Sequence, residues 1–168
     1  MNKAELVRKL LIALFAALFV AAMTDAGCAD PFNEALDAFN AGHFARAFAI
    51  WSRLAGEGDA KSQASLGFMY YSGKGVRRDD AQSLFWFRRA AEAGQPTAQF
   101  FLGLQYFYGR GVARDLAQAY SWCDIALTNG YPESLSCRDA AALQMTPEDQ
   151  RRAARLTTEF LQTHGFRN

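Results

Sequence analysis

The chain has 168 residues, 51% of them hydrophobic and 21% charged, and its 18 basic and 17 acidic side chains leave a formal net charge of +1. That length has room for one domain with a core of moderate size. A near-neutral chain lacks the basic footprint that nucleic-acid binding requires, so that class of partner is excluded.

Residues 1–29 have the layout of a secretory signal peptide. Lys3, Arg8 and Lys9 make a positive start, residues 10–22 are an unbroken apolar run, and the small residues Thr24, Ala26, Gly27 and Ala29 follow. The apolar run is short for a membrane span. Cleavage after Ala29, with Ala26 as the other possible site, removes Cys28 and leaves 15 basic and 15 acidic residues from the 18 and 17 of the whole chain. The expected location is the periplasm or the exterior. Ala26-Gly27-Cys28 has the ending of a lipid-attachment site, but Asp25 stands where that motif wants Leu. Membrane attachment would need an uncleaved signal or a lipid on Cys28.

Residues 30–57 predict a first helix pair, at about 31–41 and 44–56, marked by Phe39, Gly42, Phe44, Ala47 and Trp51. An ungapped internal repeat then begins. Thirty-six residues separate Gly67 from Gly103, and the same step links Gly58, Gly94 and Gly130, Tyr70 and Tyr106, Gly73 and Gly109, Gly75 and Gly111, Asp79 and Asp115, and Trp86 and Trp122. A unit of this length cannot bury its apolar face alone, so copies stack into a solenoid. Each copy, 58–94 and 95–130, reads as helix, Gly-rich turn, helix, with Asp59, Asp79 and Asp115 as helix caps and Pro96 at a helix start. Gly67 and Gly103 sit mid-helix, where glycine costs about 1 kcal/mol. They imply that another helix backbone crosses close by, with Trp86 and Trp122 filling the wide end of the wedge as core residues.

Residues 131–168 predict a decayed copy and a cap. Pro132 starts a helix running through Leu143, with Arg138 and Asp139 where the preceding copy has Leu102 and Gly103. Residues 146–149, Thr-Pro-Glu-Asp, open a last helix to about Thr163, with Gly165 as its stop.

The pattern Leu66-Gly67-x-x-Tyr70-x-x-Gly73-x-Gly75-Val76-x-x-Asp79, followed by Trp86-x-x-x-Ala90-Ala91-x-x-x-Gly94, resembles the Sel1-like repeat of the tetratricopeptide superfamily. It recurs at Leu102-Gly103-x-x-Tyr106-x-x-Gly109-x-Gly111-Val112-x-x-Asp115 and at Trp122-x-x-x-Ala126. The one departure is Ser83 where Ala119 has the family's alanine, and it is expected to change little. The fold expected is all-α, a right-handed α-solenoid of stacked antiparallel helix pairs with a C-terminal capping helix. The resemblance implies a non-enzymatic adaptor or regulator in the bacterial cell envelope that binds a protein partner, as a peptide or helix. A binder of a cell-wall fragment or other small molecule is the alternative, and a weak hydrolase comes third.

With tetratricopeptide geometry, the first helix of each pair lines the groove. The residues facing it are Lys61, Ala64, Phe68 and Tyr71, then Thr97, Phe100, Leu104 and Phe107, with Ser136 and Ala140 from the decayed copy. The binding candidates are Lys61, Phe68, Tyr71, Phe100, Leu104 and Phe107. Their aromatic character either marks an interaction site or reflects packing of the rings against one another; both readings stand. Phe101 and Tyr108 are equally at home between helices.

Cys123 and Cys137 are equidistant from the turn at residues 130–132, so a helix hairpin brings them to one height and a disulfide is geometrically reasonable. Packed free thiols or half of a metal site are the alternatives. His43 and His164 could complete a metal set, but neither is near in sequence, and no metal or other cofactor is expected. Catalytic machinery is thin as well. Gly73-x-Gly75 and Gly109-x-Gly111 follow helices rather than strands, so they are repeat turns and not nucleotide loops. If the signal is cut as read, mass spectrometry of the exported protein will show a chain starting at Asp30. A retained N-terminus or a lipid on Cys28 would overturn that reading.

Overall fold

The computed structural model describes residues 30–164, where eight α-helices form: α1 (Pro31–Asn40), α2 (Phe44–Gly56), α3 (Ala60–Ser72), α4 (Asp80–Glu92), α5 (Pro96–Tyr108), α6 (Leu116–Thr128), α7 (Ser134–Ala142) and α8 (Pro147–Thr163). No strand occurs among the described residues. The signal segment, Cys28 and the stop expected at Gly165 lie outside them.

The helices begin where carboxylates and amides can accept their open N–H groups. Asp59 takes the N–H of Ser62 at 2.7 Å, Asp79 those of Ala81 and Gln82 at 3.0 and 2.9 Å, and Asp115 that of Gln118 at 3.0 Å. Gln95 does the same for Thr97 at 3.2 Å, ahead of Pro96. Each such cap contributes about 1 kcal/mol. Between paired helices, Gly75 and Gly111 hold φ of 75° and 70°, a left-handed region that a side chain resists. There is no room for a side chain either. A Cβ on Gly111 would run into the Asp80 carbonyl oxygen, and one on Gly75 into Phe44 Cβ. Each repeat's turn is therefore seated on the first turn of the second helix in the unit before it.

Successive helices pack on one another from α2 through α7, so the chain stacks as a solenoid. The core follows as a series of junctions. Ala35, Ala38, Ala47, Trp51, Leu66 and Met69 close the first, and Phe87, Ala90, Ala91, Ala98 and Leu102 close the next. Buried amides tie the units together at repeat-equivalent positions, Gln63 Nε2 donating to the Ala55 carbonyl at 3.2 Å and Gln99 Nε2 to the Ala91 carbonyl at 3.1 Å.

The two mid-helix glycines divide, one departing from the sequence expectation and one meeting it. A Cβ on Gly67 would stand 2.6 Å from the Phe87 ring, so this glycine admits an aromatic side chain rather than a helix backbone. On Gly103 it would collide with Cys123 Sγ and lie 3.2 Å from the Ala119 carbonyl, so the backbone does come close there. Trp86 and Trp122 are half-buried flanks of the two clusters, whereas Phe87 is 0% exposed. The helix turns residue 87, not 86, toward the glycine.

Phe87 stacks on Phe101 with centroids 5.0 Å apart and planes at 4°. One repeat length later the same two positions are Cys123 and Cys137, which form a disulfide with Cα atoms 6.0 Å apart. The cross-link thus occupies the place of a ring pair. A second site varies in the same paired way. Ala47 and Met69 are both buried, their equivalents Ser83 and Gln105 are buried and hydrogen-bonded at 3.2 Å, and the third set is Ala119 and Ala141. Ser83 is therefore more than a small filler. It partners an amide that stands where the preceding copy has Met.

The C-terminal unit breaks the pattern. A turn carries residues 132–133, and α7 starts only at Ser134. Helix α8 opens with a reciprocal cap between Thr146 and Asp149, whose hydrogen bonds to Thr146 hold the Asp149 carboxyl below its ordinary range. It then lies against α6. Arg152 pairs with Asp115 at 2.6 Å, Ser121 donates to the Ala153 carbonyl at 3.0 Å, and the Trp122 and Phe160 rings are 5.0 Å apart. The paired positions advance together, so α8 runs parallel to α6 and caps it.

Replacing Gly67 by Ala should cost about 1–3 kcal/mol in urea unfolding, because the Phe87 ring has to yield. Replacing Cys123 by Ser should remove about 3 kcal/mol through the freed loop. A Cys123→Phe, Cys137→Phe double variant should fold with a melting temperature insensitive to reductant, since the equivalent ring pair already packs one junction earlier.

Candidate functional site

The first helices of three successive units, α1, α3 and α5, line one groove of about 530 Å³. Phe32, Leu36, Phe39 and Asn40 of α1 form one wall, and Lys61, Ala64, Ser65 and Phe68 of α3 form the floor. Thr97 and Phe101 of α5, with Gln95 just before it, complete the other wall, and Trp51 reaches in from α2. Helix α1 can supply a wall because it is apolar on two sides. Ala35 and Ala38 bury against the first core cluster, while Phe32, Leu36 and Phe39 recur at helical spacing on the adjoining face.

The six expected binding residues separate into two groups. Lys61 and Phe68 line the groove, as do the flanking positions Ala64 and Thr97. Tyr71 packs behind the wall, 5.4 Å from Phe101 and 6.4 Å from Phe87. Phe100, Leu104 and Phe107 are half-buried on α5 and outside the lining. Phe100 lies 5.3 Å from both Phe101 and Tyr131, whose phenol burial pushes up, with Glu133 second. Phe107 contacts Tyr108 at 5.0 Å. The open space lies toward the N-terminal side because the aromatic wall of α1 stands there.

Phe101, undecided in the sequence, is the hinge between core and groove. Its ring stacks on buried Phe87 and also lies 5.7 Å from Phe68, which in turn is 6.3 Å from Phe39. An unbroken run of rings crosses the array, part of it core and part of it wall. Packing of the rings against one another is thus observed, and part of the same cluster also faces the groove.

Cations border this surface. The Lys61 ammonium stands 5.9 Å from the Phe32 ring, Lys74 5.5 Å from Phe39, and Arg110 5.1 Å from Tyr71. Lys61 is the charged member of the lining, which includes no carboxylate. Trp51 is 3% exposed, and its Nε1–H has no acceptor among the described residues.

Other chemistry-bearing groups are dispersed. His43 is exposed in the turn before α2, and His164 stacks on Phe160 with centroids 4.1 Å apart. Asp79 and Asp115 are helix caps, and Gly73, Gly75, Gly109 and Gly111 form the repeat turns. A cavity of about 420 Å³ beside α6 and α8 includes Asp124, whose carboxyl burial pushes up while Arg138, 3.7 Å away, pulls it down. No group of three or more metal-ligating side chains occurs among the described residues.

The family model described as Sel1 repeat matches residues 60–95 and 96–131. Among solved structures, the chain is similar to a protective antigen present in uropathogenic Escherichia coli strains displaying an SLR fold, with a TM-score of 0.76 and 30% identity over 80% of this chain. The match spans 30% of that longer protein. It is also similar to a Sel1 repeat protein from Oxalobacter formigenes, with a TM-score of 0.59 and 32% identity, covering 66% of this chain and 86% of the other.

Urea unfolding should separate structure from surface at this site. Phe101→Ala is expected to cost about 3 kcal/mol, whereas Lys61→Ala should stay within about 0.5 kcal/mol of the parent protein.

Proposed function

The chain belongs to the Sel1 repeat family, and from that premise we propose that it is a non-enzymatic adaptor or regulator of the bacterial cell envelope. Sel1 repeats are commonly protein-interaction scaffolds, and their proteins are generally not enzymes. The observation that carries the proposal is the apolar, aromatic groove along α1, α3 and α5, of a size to take several side chains of a partner segment. Lys61 and Phe68 are its contact residues in this reading, and Tyr71 supports the wall behind them. Phe100, Leu104 and Phe107 continue the half-buried aromatic surface along α5. Aromatic anchors on a rigid helical surface are the residues from which binding hot spots are usually built.

Two features support export to the envelope. Residues 1–29 read as a secretory signal, and the Cys123–Cys137 disulfide belongs to a compartment where such bonds persist. The partner is a protein, and a cell-wall fragment is the competing ligand.

A photo-reactive amino acid placed in living cells at Ser65 and at Thr97, with Gln82 on α4 as the control, tests this reading. The expected result is one protein captured at both groove positions and absent from the control. Equal capture at all three positions would overturn it. So would tight binding of purified muropeptides with no protein captured in the groove.

A further inference from the structure

We propose that the groove between α1, α3 and α5 selects an acidic, apolar peptide, one in which glutamate or aspartate alternates with leucine or phenylalanine. The proposal rests on the reading that the groove holds a protein partner, and it adds the chemistry by which that partner is chosen.

The groove has one cation and no carboxylate in its lining. Lys61 lies in it, while Lys74 and Arg110, equivalent positions in successive repeats, stand over Phe39 and Tyr71. None of the three has a carboxylate partner among the described residues. Asp59, two residues before Lys61, is committed to capping α3. A cation resting on the open face of a half-buried ring is held weakly compared with an ion pair. A carboxylate arriving beside it gains a charge-assisted contact without first breaking an ion pair.

Trp51 gives the groove a spectroscopic handle. Its indole N–H is a donor only, it is buried, and it has no acceptor among the described residues although the side chain lines the groove. That nitrogen is closed to the groove, so the indole serves as a nearby reporter of occupancy rather than as a ligand contact. The remaining surface is apolar, including Phe32, Leu36, Phe39, Phe68 and Phe101, and it accommodates the hydrophobic side chains between the acids. A basic peptide would instead bring positive charge to a rim that already carries it.

The test uses the exported protein with its disulfide intact and blocked octapeptides in which leucine and phenylalanine alternate with glutamate, glutamine or lysine. The indole N–H resonance of Trp51, assigned with Trp51→Phe, reports occupancy by NMR. The glutamate peptides should shift that resonance and bind at least tenfold more tightly than the glutamine series, with the lysine series weakest. Lys61→Glu should abolish the preference for glutamate or reverse it. Equal binding of all three series would overturn the acidic preference while leaving the groove as a peptide site. No response to any series would overturn the proposal, and cross-linking at Ser65 and Thr97 would then show whether the groove reading falls with it. A muropeptide that shifts the Trp51 resonance at lower concentration than every peptide would assign the carboxylate to the cell wall and overturn the peptide.

Discussion

At the centre of each repeat, a residue on the second helix presses against a glycine on the first. Phe87 lies against Gly67, and Cys123 lies against Gly103. Glycine is unfavourable in a helix interior by about 1 kcal/mol, so the contact persists because it lets a side chain fill space that a Cβ would deny. The rest of the junction depends on that approach. With Phe87 seated in the notch, its outer face is available to Phe101, and Phe101 brings the next unit's first helix alongside. Stability and stacking therefore arise from one local fit repeated along the chain.

Comparison of the copies shows which parts of the fit can vary. The ring pair of Phe87 and Phe101 becomes a disulfide at Cys123 and Cys137. At another position an apolar pair, Ala47 and Met69, becomes the hydrogen-bonded Ser83 and Gln105. In both cases the two partners change together. Dense packing explains the coupling, because a change on one side leaves either a void or an unpaired polar atom unless the other side answers it. The disulfide occurs at the junction next to the decayed unit, where Arg138 and Asp139 replace a leucine and a glycine. Beyond it, α8 is anchored to α6 through Asp115, Ser121 and Trp122.

The groove grows out of the same cluster that closes the core. Phe39, Phe68 and Phe101 form its lining, and Phe101 also covers Phe87. A groove built this way is rigid, because its walls cannot move without opening a junction. It is also costly to vary, since a change in the lining is a change in the core. In the proposed binding role, specificity would be left to the border cations Lys61 and Lys74, which the core does not use.

Much of the architecture was legible in the linear chain. The 36-residue step, the capping aspartates and the glycine turns specify helix pairs and their stacking because they act through local backbone chemistry, which a sequence records directly. The equal distance of Cys123 and Cys137 from one turn suggested their pairing, and the structure joins them. The site was legible only in part. Lys61 and Phe68 do line the groove, but the wall supplied by Phe32, Leu36 and Phe39 was not foreseen, although their helical spacing beside buried Ala35 and Ala38 was a usable signal. Phe100, Leu104 and Phe107 share a helix with Phe101, yet they stand outside the lining. The sequence by itself determined the helices, their order and the repeat register, since caps, turns and periodicity are short-range properties. Only the tertiary structure decided that residue 87 rather than 86 meets the glycine, which rings face the groove, and that α8 lies along α6. Those outcomes depend on the angles at which helices cross, and these are settled by side-chain volumes meeting from distant parts of the chain.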